Sequence, residues 1–134
     1  MKFVHMSLVA LTGVVMAASM SAEVLSLASA FAQYKVSTLE QLSQTKPVAI
    51  KWSVPGCPPC GRMEPIFHSL ATEFGDRAIF ISENAQSYMH LVESYGISQV
   101  PTFQLFKGGK QVNRSTGETS KDSLRTMITT NLGI

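Results

Sequence analysis

The stretch Val48-Ala49-Ile50-Lys51-Trp52-Ser53-Val54 constrains this chain more than any other. Apart from Lys51 it is apolar on both faces, as a central strand of a covered sheet must be. It runs into Pro55-Gly56-Cys57-Pro58-Pro59-Cys60-Gly61. A segment with helical spacing then leads out through Met63, Ile66, Phe67, Leu70, Ala71 and Phe74. The chain's 2 cysteines therefore sit three apart, where a strand hands over to a helix. That placement reads as a redox dithiol.

The junction supplies the chemistry. Cys57 sits where the helix begins, near unpaired backbone N–H groups and the positive end of the helix dipole. Both favour the thiolate, which is the nucleophile. Cys60, one turn further on, is within reach to resolve a mixed disulfide by closing the ring. Pro58 and Pro59 suit the first helical turn, but they remove two donors that would otherwise solvate the Cys57 sulfur. The first N–H left is that of Cys60. A thiolate stabilised more by the dipole than by direct hydrogen bonds argues for a less oxidising dithiol.

Other uses of two cysteines fit less well. A structural zinc site takes four ligands, and neither a second cysteine pair nor a ligand spacing among His5, His68 and His90 supplies them. A structural disulfide closing so short a loop stabilises little. No metal or other cofactor is expected beyond the redox-active Cys57–Cys60 pair. His68 and His90 read as helix-surface residues, and the methionines beyond the leader read as packing or surface residues.

At 134 residues the chain is one domain, and 45% hydrophobic residues exclude bulk disorder. A net charge of +2 from scattered lysines and arginines gives no nucleic-acid footprint. In residues 1–32 the charged side chains are Lys2 and Glu23, around an apolar stretch from Val4 to Ala22. Ala30-Phe31-Ala32 forms an A-x-A site before Gln33, with cleavage near Ala22 as the alternative. The pattern is that of a signal peptide, or of a membrane anchor if uncleaved, leaving a domain over residues 33–134. Export to a periplasmic or other extracytoplasmic, oxidising compartment follows.

Along the remainder, Tyr34-Lys35-Val36 reads as a weak strand. Ser37 or Thr38 caps a short helix carrying Leu39 and Leu42. The helix from Pro58 to Phe74 is kinked by Pro65. A strand over Ala78–Ile81, a helix over Gln86–Tyr95 and a strand over Phe103–Phe106 follow. A turn at Lys107–Lys110 leads to a return strand, Gln111–Ser115, and a last amphipathic helix spans Ser120–Leu132. Strands alternating with helices, then a hairpin and a helix, predict an α/β sandwich with a mixed sheet.

From Tyr34 to Leu132 the chain resembles the thioredoxin family. The resemblance rests on Pro47 through Cys60, Pro65, Tyr95-Gly96-Ile97, Val100-Pro101-Thr102, Phe106-Lys107-Gly108-Gly109 and Gly117, in the family's order and spacing. It implies a central mixed β-sheet with helices on both faces, and a thiol–disulfide oxidoreductase in which Cys57 attacks and Cys60 resolves. It also implies that Pro101 is cis, and that Val100 pairs with a client chain as a short added strand beside Gly117. The partners implied are protein thiols and disulfides and a further redox partner, the protein acting as a monomer.

Three departures from the family stand out. Gly56 replaces the usual tryptophan before the first cysteine. Glu118 replaces a small apolar residue after Gly117. Lys51 replaces a buried acid, and the strand position that often carries that acid's lysine partner is taken here by Phe80. Glu64 follows Cys60 by four residues on the same helix face, so it is expected to reach Lys51 and to form a reversed proton-handling pair. Reductase or isomerase-supporting activity is favoured over primary oxidation. The competing reading is a binding or chaperone module of the same fold, or a soft-metal chaperone using the two cysteines.

Overall fold

The computed structural model describes residues 23–134 together with Gly13. Most of the expected leader therefore lies outside the described residues, but its C-terminal third does not. Val24–Leu25 form strand β1, paired parallel with a later strand (Val24 opposite Phe80, Leu25 opposite Ile81). Leu27–Tyr34 form helix α1, which buries Leu27 and Ala30. Strand β1 and helix α1 thus pack onto the sheet ahead of Gln33, and a cut after Ala32 would fall inside α1.

The physical reason is local. The Ala- and Ser-rich run that reads as a cleavage region is also a good helix former. Ser26 caps it by accepting from the Ser29 N–H at 3.1 Å. Glu83 Oε1 accepts the Leu27 N–H at 3.1 Å. The expected strand at Tyr34–Val36 is absent for the same reason. Lys35 closes α1 in the left-handed region (φ 54°), and its N–H bonds to the Phe31 carbonyl.

The remaining elements are α2 (Leu39–Thr45), β2 (Val48–Ser53), α3 (Pro58–Phe74), β3 (Ile79–Asn84), α4 (Met89–Ser94), β4 (Thr102–Lys107), β5 (Lys110–Thr116) and α5 (Lys121–Leu132). The helix expected over Gln86–Tyr95 divides into a 3₁₀ turn at Ala85–Tyr88 and the shorter α4. The sheet order is β1-β3-β2-β4-β5. β2 runs parallel to β3 and antiparallel to β4, and β5 is antiparallel to β4.

Alternation along β2 splits the core. Val48, Ile50 and Trp52 face α1, α2 and α4, packing with Leu27, Leu42 and Val92. Ala49 faces α3 and α5, packing with Met63, Phe67, Leu124 and Ile128. Phe67 anchors that second face between Phe80 and Phe103, with ring centroids 5.3 and 5.9 Å away. The expected mixed sheet with helices on both faces is the observed architecture.

Register then determines where function can sit. Trp52 lies opposite Thr102, Thr102 opposite Thr116, and Ser53 opposite Asn84. The exit of β2, the entry of β4, the exit of β5 and the exit of β3 therefore share one end of the sheet. The segments attached there carry Cys57, Pro101 and Gly117.

Candidate active site

Cys57 is the N-cap of α3, with extended backbone (φ −98°, ψ 103°), and Pro58 and Pro59 fill the first two helical positions. Its sulfur accepts the Cys60 N–H at 3.3 Å. Since neither proline has an N–H, the expected donor-poor cap is what the chain builds. Cys57 and Cys60 form a disulfide, with Cα atoms 5.3 Å apart. The two sulfurs differ in access: Cys57 is partly exposed, whereas Cys60 retains only 3% of its surface. Gly56 precedes them at φ 73°.

One turn beyond Cys60 in α3, Glu64 takes part in an ion pair. Lys51 is fully buried in β2 on the α3 side, and its ammonium contacts Glu64 Oε1. Ser82 Oγ donates to the same oxygen at 2.9 Å, and His68 Nε2 lies 3.2 Å from Glu64 Oε2. The helix-surface reading of His68 omitted this contact. The strand position beside Lys51 also needs correcting. Lys51 pairs with Ser82, while Phe80 lies opposite Ala49 and packs in the core. The parallel register shifts the neighbour by two residues, which keeps the face but changes the residue.

Partial burial pushes the Glu64 carboxyl up, but hydrogen bonds from Lys51 and Ser82 and the charges of Lys51 and His68 outweigh it. The net result lies below the ordinary carboxylate value. Glu64 also borders an open cleft of about 240 Å³ with Ser53, Val54, Pro55, Ser82, Glu83 and Asn84. Ser53 Oγ is buried there and has no hydrogen-bond partner among the described residues.

The third segment group lies at the β4 entry. The Val100–Pro101 peptide is cis. Val100 is half-buried and Pro101 buried. The Gly117 N–H donates to the Pro101 carbonyl at 2.8 Å, tying the two loops together, and Gly117 takes φ 94°. Glu118 does make this rim polar, and with a partner that sequence spacing gave no means of finding. Arg62 Nε lies 3.0 Å from both Glu118 oxygens. This pairing holds the Glu118 carboxyl below its ordinary value. Arg62 and Glu118 are 56 residues apart, and no periodic pattern links them.

An accessible sulfur at a helix start, with a buried sulfur bonded behind it, can exchange disulfides. Among the described residues no group of three His, Cys, Asp or Glu side chains is arranged to hold a metal, and no helix is long and apolar enough to cross a membrane.

Comparison with known proteins agrees with this geometry. The thioredoxin family model matches residues 28–130. Thioredoxin 1 from Nostoc sp. is 31% identical over 98 residues, covering 72% of this chain and 92% of that protein. A thioredoxin from Chlorobaculum thiosulfatiphilum is 29% identical over 94 residues, covering 70% of this chain and 87% of that protein. Among solved structures, a mutant thioredoxin from Halobacterium salinarum superposes with a TM-score of 0.65 at 26% identity, covering 72% of this chain and 84% of that one. The thioredoxin NaTrxh from Nicotiana alata gives 0.63 at 25% identity, covering 69% and 81%.

Proposed function

This chain belongs to the thioredoxin family and is a thiol–disulfide oxidoreductase acting on protein disulfides, and we propose that it works as an exported reductase in which Cys57 attacks and Cys60 resolves. The difference in access between the two sulfurs carries the assignment of roles. In the reduced protein, the Cys57 thiolate attacks a client disulfide. One client thiolate leaves and a mixed disulfide forms. The Cys60 thiolate then attacks the Cys57 sulfur and releases the second client thiolate. Two electrons pass to the client, and the Cys57–Cys60 disulfide remains. Val100, Pro101 and Gly117 form the docking edge, with the backbone of Val100 pairing with the client.

That Glu64 follows Cys60 by one turn of α3 and pairs with Lys51 supports a role for both in the loss of the Cys60 proton. A carboxylate held below its ordinary value is a much stronger acid than a thiol, so Glu64 passes that proton to the cleft and solvent instead of holding it. Glu64 also neutralises Lys51, which reduces the cation's pull on a thiolate. The donor-poor cap is then the dominant influence on potential, and it favours a reductant.

Export rests on the apolar stretch up to Ala22 in the sequence, which stands just ahead of strand β1. Met89 is the one large hydrophobic residue exposed among the described residues, which suits a monomer. The sequence of the mature N-terminus tests export, and Gln33 as its first residue would overturn a folded unit that includes β1 and α1.

The deciding experiment is the reduction potential of the Cys57–Cys60 couple, together with insulin reduction. A potential near the about −270 mV of reducing dithiols is expected, and one near the about −120 mV of strong oxidants overturns the reductase assignment. Cys60→Ser should trap clients as mixed disulfides, while Cys57→Ser should trap none.

A further inference from the structure

Opposite the ion pair, on the other face of the sheet, a line of polar side chains runs through the apolar core. Trp52 and Gln104 are both fully buried. Trp52 Nε1 donates to Gln104 Oε1 at 2.7 Å, and Gln104 Nε2 donates to Gln111 Oε1 at 2.8 Å. Arg114 Nη2 donates to that same Gln111 oxygen at 3.0 Å. The guanidinium then reaches the C-terminus of α4, donating to the carbonyl of Tyr95 at 2.5 Å and of Gly96 at 3.4 Å.

A buried amide is tolerated only when its polar atoms are paired, and partial loss of such a network is costly. This network therefore joins β2, β4 and β5 to a single place, the pair of carbonyls from which the loop of residues 97–101 departs. The far end of that loop is held as well, since Thr102 Oγ1 donates to the Gln99 carbonyl at 2.6 Å. The loop carries Val100, while Trp52 lies in the strand that leads to Cys57.

We propose that Arg114, braced by Gln111 and Gln104, is a positioning residue that fixes the client-docking loop relative to the dithiol. It touches neither client nor sulfur. Its effect is to pre-order the backbone of Val100, so that docking does not have to supply that order. The inference rests on Val100 pairing with the client backbone, and the experiment separates the two ideas.

Arg114 is partly exposed and Gln111 exposed, so both can be changed without opening the core. Arg114→Met should raise KM for insulin about fivefold, the loss expected for one net hydrogen bond, with kcat and the Cys57–Cys60 potential unchanged. Reduction of hydroxyethyl disulfide, which has no peptide backbone to pair, should keep its wild-type rate. Arg114→Lys should recover part of the KM, and Gln111→Leu should give a smaller rise, because Arg114 keeps its carbonyl contacts. An unchanged KM in Arg114→Met, or equal slowing with both substrates, overturns the proposal. A peptide disulfide N-methylated beside its cysteine tests the premise on the wild-type protein. If N-methylation leaves KM unchanged, Val100 pairing fails. If it raises KM while Arg114→Met does not, only the positioning role fails.

Discussion

At the scale of single residues, Lys51 and Glu64 are unequal partners. Lys51 has no solvent to turn to, whereas the Glu64 side chain is 38% exposed. Removing the carboxylate strands an ammonium in the core, while removing the ammonium leaves a carboxylate that water can still reach. Glu64→Gln should therefore destabilise the oxidised protein by about 1–3 kcal/mol, a range already reduced for the solvent on the Glu64 side. Lys51→Met should cost about 1 kcal/mol or less. Urea midpoints of the two variants provide the check, and a larger loss in Lys51→Met contradicts this account.

The acid side of the stability curve tests the same pair. Because Glu64 is held below its ordinary value, the unfolded chain binds more protons between the two values, and stability rises with pH there. Its contribution is complete above the ordinary glutamate range and is lost as pH falls through the folded value. Unfolding followed against pH should lose that part of its slope in Glu64→Gln. An identical slope in both proteins would show that the pair does not stabilise the fold.

At the scale of elements, α3 begins with two residues that cannot donate. An N-cap side chain ordinarily accepts from the second or third helical N–H. Here only the third, from Cys60, is available. Pro59→Ala returns the second. One added hydrogen bond to the thiolate should make the couple more oxidising by about 30 mV, measured against glutathione. A shift in the opposite direction would mean that the prolines act through loop geometry and not through missing donors.

The elements also show what sequence could and could not reveal. Strand β2, helix α3 and the final hairpin with α5 were legible because burial imposes a period on each and glycine or proline marks its ends. Helix α1 was not, because Ala and Ser near an apolar stretch carry the same composition whether they form a processing site or a capped helix. Lys51 meeting Glu64 was legible because a buried cation needs an anion and few stood within reach. Ser82 and Arg62 were missed for a different reason. A parallel register and a contact between residues 62 and 118 arise only once the sheet and α3 are assembled. The same holds for Arg114, which read as part of an ordinary return strand.

At the scale of the whole molecule, the first strand and helix test where the domain begins. A chain starting at Glu23 keeps β1 beside β3 and Leu27 in the core, and should fold cooperatively. A chain starting at Gln33 loses both, exposing the edge of β3. It should be at least about 3 kcal/mol less stable, on the scale of deleting one large buried side chain. Equal urea midpoints for the two chains would place the domain boundary back at Gln33.

The glycine ahead of the first cysteine sets a limit on how this enzyme can change. Gly56 has no atom within 4 Å of where a Cβ would sit, so there is ample space for a side chain there. Its backbone angle is what opposes one, since at φ 73° an L-residue is strained whatever room surrounds it. An aromatic bumper added by one exchange of letters carries that strain with it. Relieving it would take another route for the chain between Ser53 and Cys57, and the smooth lip that clients meet is thus a property of the main chain.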